Sequence, residues 1–434
     1  MNDYTFGNYI TDQRHKRGLS QTELADLLGV TNKAVSKWEN GRAKPTTNTL
    51  RKLAAVFGTD VDELLKNREE RKPMDITKIV ITGGPCAGKT TGMSKIQGAF
   101  SKKGYAVLFV PETATELMTG GVKPDTCGSN LDYQKCQMKL QLEKEKVFLQ
   151  AAESMKKEKI LIVCDRGTID NKAYMSEVEF QAVLNSLGTD AVTLRDGYDG
   201  VFHLVTAAKG AEEFYTTDNN QARRETPEEA RVLDDKLIAA WTGHPHLRVI
   251  GNETDFENKM NKLIHEISGL LGEPEPFEIE RKYLIEYPDI NWLESLPNCH
   301  KVDIIQTYLL APGGDEVRVR QRGENGSYTY TQTTKRKVTD VKRVEIERRL
   351  TQREYLTLLM EADPALHPIR KTRYCLTWDE QYFEIDVYPF WDDKAIVEIE
   401  LSDENAPIRF PKELKVIREV TDDEEYKNYS LAHR

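Results

Sequence analysis

The sequence predicts a multidomain protein with three units of different fold class: an all-α N-terminal unit, an α/β unit with a parallel sheet, and an antiparallel β-barrel with helices. Three observations support this order. Short amphipathic helices are followed by a charged stretch that ends in Pro73, a composition typical of a linker. Apolar strands then alternate with helical stretches over residues 78–271. Beyond residue 277 the hydrophobic period becomes two.

These changes of pattern define the predicted domains. The N-terminal unit covers residues 1–67 and a linker covers residues 68–76, while the α/β unit spans residues 77–272 and the β unit residues 276–434. A chain of 434 residues is too long for a single small core. Its length therefore agrees with several domains.

The totals of the sequence exclude several protein classes. It holds 61 basic and 71 acidic residues, a formal net charge of -10, so it is not a protein that coats nucleic acid with an overall positive surface. Its six cysteines lack Cys-x-x-Cys pairs, which argues against a disulfide framework and a structural zinc site. No apolar run is long enough to span a membrane. We expect a cytoplasmic protein without membrane contact.

The N-terminal unit shows the pattern of two short helices joined by a tight turn. Ser20 caps the first predicted helix, Gly29 stands where the chain must turn, and residues 31–39 form the second helix. Such a pair is a helix-turn-helix, whose second helix enters the major groove of DNA. Residues 1–52 contain nine basic and five acidic residues, a local balance suited to the DNA backbone. The candidate contacts to bases and phosphates are Asn32, Lys33, Ser36 and Lys37.

Residues 19–45, which include Val-Ser-Lys-Trp-Glu-Asn-Gly-Arg-Ala-Lys-Pro at residues 35–45, resemble the Cro/C1 repressor family, also called the XRE family. The resemblance implies that Gln21 holds a phosphate and that the helix starting at Thr31 reads bases. It also implies an operator in double-stranded DNA, bound by a homodimer on two half-sites. The alternative is a helical bundle that serves only dimerisation.

A glycine-rich loop between a predicted strand and a predicted helix has the spacing of a P-loop. Residues 83–90 read Gly-Gly-Pro-Cys-Ala-Gly-Lys-Thr, and the glycines allow consecutive backbone amides to face a phosphate. Lys89 is then placed to reach the β- and γ-phosphates, and Thr90 to hold Mg²⁺. We expect this unit to bind ATP or GTP. The predicted nucleotide-binding residues are Gly83, Gly84, Gly88, Lys89, Thr90 and Thr91.

Four further residues are candidates for the chemistry at this loop. Asp165 ends an apolar run and is predicted as a second magnesium ligand, although a capping aspartate on a buried strand would look the same. Glu112 follows the second strand at the carboxyl edge of the sheet, where it could act as a general base. Arg223 and Arg224 lie in a polar segment suited to a lid that closes on transferring phosphoryl oxygens, or to a solvated basic loop.

The spacing of these parts, the Asp-Arg-Gly step at residues 165–167 and Trp-Thr-Gly-His-Pro-His at residues 241–246 resemble the small P-loop kinase-like group that includes ribosylnicotinamide kinase. The resemblance implies that Glu112 activates an acceptor hydroxyl and that Arg223 stabilises the transferring group. Kinase, hydrolase and nucleotide sensor all remain open as activities of this unit.

In the third unit, charged and apolar residues alternate along the predicted strands. Glu278, Glu280 and Lys282 share one face of a strand, and Phe277 and Ile279 share the other. An ordinary sheet with one solvated face would show the same alternation. However, both signs of charge occur in segregated sets, and about eight strands closed into a barrel would enclose them. Carboxylates bind divalent metal and arginines bind phosphate oxygens, so the pattern predicts a metal-triphosphate tunnel.

The Glu-x-Glu-x-Lys sequence at residues 278–282 resembles the signature of the CYTH, or triphosphate tunnel metalloenzyme, superfamily, and the resemblance reaches the end of the chain. It implies a triphosphate held by Lys282, Arg318, Arg320, Lys335, Lys371 and Arg373. It implies Mg²⁺ or Mn²⁺ and an attacking water held by Glu278, Glu280, Glu345, Glu347, Asp386, Glu398 and Glu400. Substrates in this superfamily include inorganic triphosphate, thiamine triphosphate and ATP, and a tunnel without turnover would instead sense such a ligand.

The combined prediction is a DNA-binding transcriptional regulator with a P-loop domain that binds ATP or GTP and a metal-dependent, triphosphatase-like domain that hydrolyses or senses a triphosphate. The alternative is a small-molecule kinase of nucleoside type with an autoregulatory DNA-binding domain. The expected partners are a DNA operator, a nucleoside triphosphate and an inorganic or organic triphosphate.

Overall fold

The computed structural model describes residues 10–11, 13–15, 17–39, 43, 45–59, 75–215, 225–273, 279–311, 316–337, 343–401 and 406–434. The chain forms two compact units, Met1–Asp75 and Ile76–Arg434. The first strand begins at Asp75, so regular structure starts two residues before residue 77, where the α/β unit was predicted to begin.

Three helices form most of the described part of the N-terminal unit. They are α1 (Gln21–Leu28), α2 (Asn32–Glu39) and α3 (Thr47–Phe57). Ser20 caps α1 and forms a capping box with Glu23. Gly29 adopts a left-handed φ of 68° and turns the chain towards α2. The buried core includes Leu24, Leu28, Val35, Trp38 and Leu53. The predicted helix-turn-helix is confirmed.

The α/β part of the second unit is built on five parallel strands in the order β2-β3-β1-β4-β5. They are β1 (Asp75–Gly83), β2 (Ala106–Val110), β3 (Lys159–Asp165), β4 (Gly200–Leu204) and β5 (Leu247–Ile250). Successive residues of β3 and β4 are buried because helices cover both faces. The predicted parallel sheet is confirmed, and its strands place the P-loop, Glu112 and Asp165 at one edge.

Helices pack on both faces of this sheet. They are α4 (Lys89–Lys102), α5 (Thr113–Thr119), α6 (Asn130–Ser154), α7 (Glu177–Leu187), α8 (Ala191–Arg195), α9 (Pro227–Trp241) and α10 (Phe256–Leu270), with 3-10 helices at Thr168–Tyr174 and Glu212–Phe214. Ile79 and Ile81 pack with Phe100 of α4 and Met260 of α10, whereas Val80 and the residues of α6, α7 and α9 form the opposite core. Within the described ranges, no helix has the length and apolar character needed to cross a membrane.

The remaining part is a nine-stranded antiparallel sheet in the order β10-β9-β8-β7-β11-β12-β13-β6-β14. Its strands are β6 (Ile279–Glu286), β7 (Cys299–Leu309), β8 (Glu316–Glu324), β9 (Ser327–Lys337), β10 (Arg343–Leu350), β11 (Ile369–Trp378), β12 (Gln381–Val387), β13 (Lys394–Leu401) and β14 (Val416–Glu419). Its helices are α11 (Ile290–Ser295), α12 (Gln352–Leu358) and α13 (Asn428–Leu431), with 3-10 helices at Leu359–Glu361 and Glu424–Tyr426. The predicted antiparallel β unit with helices is confirmed, with nine strands where about eight were expected.

The two sheets of the second unit meet through buried polar contacts. Arg322 of β8 donates from Nη1 to Asp196 Oδ2 at 2.7 Å, and both side chains are buried. The hydroxyl of Tyr382 donates to the carbonyl oxygen of His244 at 2.9 Å. Because these contacts lie at the end of β8 and the start of β12, the α/β part adjoins one end of the antiparallel sheet.

Candidate functional site

The start and the solvent side of α2 carry the predicted DNA contacts. Ser36 is half-buried, and the other four are exposed: Thr31, Asn32, Lys33 and Lys37. Val35 and Trp38 occupy the opposite side of the helix and are buried in the core. A helix that presents short polar side chains and lysines in this way is suited to the major groove and its phosphates.

Gln21 takes part in a network beneath this surface. Its side-chain amide donates to Glu39 Oε2 at 2.6 Å, and Glu39 is buried in an ion pair with Arg14 at 2.7 Å. The amide nitrogen carries two hydrogens, so one of them is available for the phosphate contact predicted for Gln21. That contact stays a prediction.

The backbone of the P-loop requires its glycines. The φ angle is 142° at Gly83 and 92° at Gly88, and Cys86 between them also has a positive φ of 56°. A Cβ atom at Gly83 would collide with the carbonyl oxygen of Leu204, and one at Gly88 would lie 2.7 Å from the ring of Phe256. The glycines therefore provide both the left-handed conformation and the space for close packing.

Asp234 supports the P-loop from behind, a role that sequence analysis missed. This buried carboxylate of α9 accepts hydrogen bonds at Oδ1 from the backbone amides of Gly84 at 3.0 Å and Thr206 at 3.1 Å, and from His203 Nε2 at 3.0 Å. Lys209 donates to Oδ2 at 3.0 Å. Burial opposes ionisation, but His203 and Lys209 outweigh it and lower the pKa of Asp234 below its ordinary value. Asp234 is thus a charged acceptor that orients a P-loop amide.

Two charged side chains, those of Arg166 and Glu112, lie close to Lys89 of the P-loop. Lys89 Nζ donates to the carbonyl oxygen of Gly83 at 3.2 Å, and burial, followed by the charge of Arg166, lowers the pKa of Lys89 to about 8. Arg166 Nε donates to Glu112 Oε1 at 2.7 Å. Burial would raise the pKa of Glu112, but Arg166 and Lys89 outweigh it and hold that pKa at about 2. Such a carboxylate is a weak proton acceptor, so Glu112 could act as a general base only after Arg166 moves.

Asp165 offers an oxygen suited to magnesium. It ends β3, next to the P-loop strand, and its Oδ1 atom is buried without a hydrogen-bond partner among the described residues. Burial raises the pKa of Asp165. A buried unsatisfied carboxylate oxygen fits a cation or its water shell. Thr90 and Thr91 are exposed at the start of α4, where Thr90 is placed to share that cation.

A buried charge cluster occupies one face of β11, β12 and β13. Arg373 donates from Nε and Nη2 to the two oxygens of Asp386, both at 2.7 Å, and from Nη2 to Glu398 at 2.7 Å. It also contacts Glu384. Lys371 donates to Asp386, and burial, followed by the charge of Arg373, lowers the pKa of Lys371. The structure therefore brings five charged residues of three strands into one network.

Lys282 extends this charge cluster to β6. Its Nζ donates to Glu398 Oε1 at 2.6 Å and lies 3.4 Å from Glu280 Oε2. Burial opposes the charge of Lys282, but Glu398 and Glu280 raise its pKa above the ordinary value. Lys282 and Glu398 face each other in the register of β6 and β13, which explains why the two side chains meet.

Strand β8 adds two arginines to the same environment. The Nε atom of Arg320 is buried without a hydrogen-bond partner in the described part of the chain. Burial, and after it the charges of Arg318 and Arg373, lowers the pKa of Arg320. A guanidinium with a buried, unsatisfied Nε atom favours an anionic ligand. Lys335 of β9 is half-buried, and Glu347 of β10 is exposed.

Glu400 contacts the α/β part instead of the charge cluster. It pairs with Arg248 of β5, which also lies 3.3 Å from Glu266. Over the described ranges, no group of three or more His, Cys, Asp and Glu side chains could hold a metal ion. Lysines and arginines pair with the carboxylates of Asp386 and Glu398. Glu278, Arg223 and Arg224 lie outside the described residues, as does the side chain of Glu345.

Comparisons with known proteins match all three units. A helix-turn-helix family model matches residues 10–64, and an AAA domain model matches residues 78–259. A prophage-derived HTH-type transcriptional regulator of Bacillus subtilis is 37% identical over 70 residues, which are 16% of this chain and 65% of that protein. The inorganic triphosphatase of Nitrosomonas europaea is 32% identical over 158 residues, which are 36% of this chain and 96% of that protein. The chain belongs to the family of this triphosphatase.

The similarity to the triphosphatase lies in the C-terminal part of the chain, which forms the antiparallel sheet. A crystal structure of an inorganic triphosphatase is 29% identical, with coverage of 36% of this chain and 95% of that one and a TM-score of 0.26. The predicted helix-turn-helix of XRE type and the predicted P-loop domain are also confirmed. The chain spans 31% to 65% of the length of the HTH-type regulators that it matches.

The triphosphatase-family domain contains one arginine whose place was not foreseen. Arg322 alternates with Arg318 and Arg320 along β8, which predicts that it faces the same charges. It instead binds Asp196 and the carbonyl oxygen of Gly243 in the α/β part. The partner lies far away in sequence, so no local pattern could have indicated this contact.

Proposed function

We propose that the chain is a DNA-binding regulator whose triphosphatase-family domain binds a triphosphate and hydrolyses it with Mg²⁺ or Mn²⁺. The observation that carries this proposal is the buried charge cluster, in which Lys371 and Arg373 pair with Asp386 and Glu398, together with the unsatisfied Nε of Arg320. Phosphate oxygens are the natural ligands of such cations. The triphosphatase relative supports the same reading.

The charge cluster also indicates how the ligand and the metal would be bound together. A triphosphate would take the place of carboxylate oxygens on Lys282, Lys371 and Arg373. The released oxygens of Asp386 and Glu398 would then be available to hold the cation, which would polarise the phosphate and lower the pKa of a bound water. In this reading the internal ion pairs keep the buried charges compensated while the ligand is absent.

The test is phosphate release from inorganic triphosphate and from several nucleotides, with Mg²⁺ and with Mn²⁺. The wild type should release phosphate, and Lys282→Gln should lose most of this activity. Lys301→Gln, which changes a half-exposed lysine of the same domain paired with Glu294, should retain it. Binding of triphosphate without release would show that the domain senses its ligand. If the wild type neither releases phosphate nor binds triphosphate in calorimetry, the proposal is refuted.

We further propose that the P-loop domain binds ATP or GTP, with Lys89 on the phosphates and Thr90 and Asp165 holding Mg²⁺. The loop conformation and the unsatisfied oxygen of Asp165 support this. A second candidate function is small-molecule kinase, favoured by the position of Glu112 close to Lys89 of the P-loop. In this function Arg166 would have to release Glu112 before that carboxylate accepts a proton. If it is correct, ATP consumption should depend on an acceptor such as ribosylnicotinamide. Glu112→Gln should abolish this dependence and leave nucleotide binding intact.

The N-terminal unit is proposed to bind an operator as a homodimer. Lys33 and Lys37 are exposed on α2, and each phosphate contact that they make should strengthen the salt dependence of binding. Fluorescence anisotropy with DNA from upstream of the chain's own gene tests this. Lys33→Ala and Lys37→Ala should weaken binding and reduce the salt slope, whereas unchanged affinity in both variants would contradict a role for this face.

A further inference from the structure

One hairpin of the antiparallel sheet connects the charge cluster to the α/β part. Strands β11 and β12 carry Arg373 and Asp386 side by side in the charge cluster. The same two strands are joined at their other end by the two-residue turn of Asp379 and Glu380, which follows the pair of Trp378 and Gln381. The two strands are paired from Thr372 to the turn, so the hairpin connects the charge cluster directly with the turn.

This turn is strained and is held by the α/β part. Asp379 has a φ of 48° and Glu380 a φ of 60°, left-handed values at which such turns favour asparagine and glycine. Arg409 donates to the carbonyl oxygen of Asp379 at 3.0 Å and to Glu253 at 2.9 Å. The carboxylate of Glu380 lies so close to Gly251 that a Cβ atom there would collide with it. The turn therefore fits against the segment that follows β5.

Hydrogen bonds continue from this segment to the P-loop. Asn252, the residue after Gly251, donates from Nδ2 to the carbonyl oxygen of Thr206 at 2.8 Å. The Thr206 amide donates to Asp234 Oδ1 at 3.1 Å, and its hydroxyl donates to the carbonyl oxygen of Pro85 at 2.5 Å. Asp234 also binds the amide of Gly84. The hairpin turn is thus linked to two backbone groups of the P-loop by a short series of contacts.

The charge of Glu380 acts on the lysines of the same region. Lys209 donates to Asp234 at 3.0 Å, and Lys259 donates to the carbonyl oxygen of Val205 at 2.6 Å. Burial and the neighbouring Glu253 raise the pKa of Glu380, while Lys209 opposes them. A movement of Glu380 would therefore change both the packing on Gly251 and the electrostatic environment of Lys209 beside Asp234.

We propose that Glu380 is a positioning residue for the P-loop, so that the binding of triphosphate in the tunnel and of nucleotide at the P-loop are energetically coupled. The inference rests on the proposed function of these two sites. Coupling of this kind is reciprocal: each ligand changes the affinity for the other by the same factor. It would give the chain one response to two phosphate ligands.

The experiment uses the full chain and a fluorescent derivative of ADP with Mg²⁺. The dissociation constant of this probe is measured with and without inorganic triphosphate, before phosphate release is detectable. Arg320→Gln, which impairs the tunnel, reports any direct competition at the P-loop. Glu380→Gln removes one charge at the turn, and Glu413→Gln removes one exposed carboxylate of the same domain as a matched control. Thermal unfolding of every variant shows whether it is folded.

In the wild type and in Glu413→Gln, triphosphate should change the probe's dissociation constant by at least about fivefold beyond the change in Arg320→Gln. In Glu380→Gln this factor should fall below about twofold at an unchanged unfolding temperature. The same factor should appear when ADP modulates triphosphate binding in calorimetry. The coupling inference is overturned if triphosphate changes the probe's dissociation constant as much in Glu380→Gln as in the wild type. It is also overturned if a wild type that binds triphosphate shows no such change, and in both cases the proposed function of the two sites stands. No triphosphate binding by the wild type overturns the tunnel function as well.

Discussion

Replacement of Asp234 by asparagine tests whether a charged acceptor behind the P-loop supports both stability and nucleotide binding. The substitution preserves the size of the side chain and one acceptor oxygen. It removes the negative charge to which the amides of Gly84 and Thr206 and the ring of His203 donate. It also places an amide group where Lys209 now donates.

The expected loss of stability follows from these contacts. A hydrogen bond to a charged group contributes about 1.5–3 kcal/mol and one between neutral groups about 0.5–1.5 kcal/mol. Each of the three donors to Oδ1 therefore loses about 1 kcal/mol, about 3 kcal/mol altogether. The lost pair with Lys209 adds less than about 1 kcal/mol, because that lysine is partly exposed and also binds Asp235. We expect Asp234→Asn to lower the free energy of unfolding by about 3 kcal/mol.

The same change should weaken nucleotide binding. In the variant the Gly84 amide is less ordered, so the P-loop loses a preorganised hydrogen-bond donor for phosphate. If this costs about 1.4 kcal/mol of binding free energy, the dissociation constant for nucleotide rises tenfold. The measurements are urea unfolding of the chain and titration with fluorescent ADP at a temperature at which the variant is folded. The matched control is Asp235→Asn, whose side chain is 70% exposed on the same helix.

Asp235→Asn should change stability by no more than about 0.5 kcal/mol. Equal unfolding free energies for the two variants would refute the magnitude derived from the buried contacts. Normal nucleotide affinity in a destabilised Asp234→Asn protein would show that Asp234 supports the fold without orienting the P-loop.

Three other predictions concern single side chains. Nucleotide affinity should fall as the pH rises from about 7 to about 9, because Lys89 has a pKa of about 8 in the free protein and must be protonated to bind phosphate; Lys89→Arg should remove this dependence. The second unit should lose stability as the pH falls below about 6.5, because burial lowers the pKa of His244 to about 3 and the unfolded state binds the proton first; urea unfolding at several pH values should show a smaller loss in His244→Gln, with the remainder due to His246 and His300, whose pKa values burial also lowers. Ser20→Ala should destabilise the N-terminal unit by about 1 kcal/mol through loss of its capping box, as measured by hydrogen exchange of the backbone amides of α1, with Asp26→Asn, an exposed change on the same helix, as the control.

Much of the architecture could be predicted from local sequence, because it depends on residues that are close in the chain. The Ser20 cap and the Gly29 turn require only the residues of one helix and its flanks. The apolar runs of the five parallel strands and the period of two in the third unit reflect how many faces of each strand are buried. The P-loop was readable for the same reason, since residues 83–90 supply the glycines, the lysine and the threonine in one segment.

The charge cluster could be predicted only in part. Alternation placed Lys371, Arg373, Asp386 and Glu398 on the faces where the structure shows them, because side chains alternate along every strand. The pairing of Arg373 with three different carboxylates depends on the register of β11, β12 and β13. Register is a property of the assembled sheet, so the sequence alone could not predict which carboxylates pair with Arg373.

The sequence by itself determined the three types of unit, the phosphate-binding loop and the residue types of the charge cluster, because propensity, periodicity and motif spacing are local properties. Only the tertiary structure decided three pairings. Asp234 accepts a hydrogen bond from the amide of Gly84, Arg322 pairs with Asp196 in the α/β part, and Arg248 pairs with Glu400. A carboxylate has no preference in sequence for one arginine or amide over another. The partner of each charged group is set by folding, because packing brings distant segments together and excludes the water that would otherwise solvate each charge.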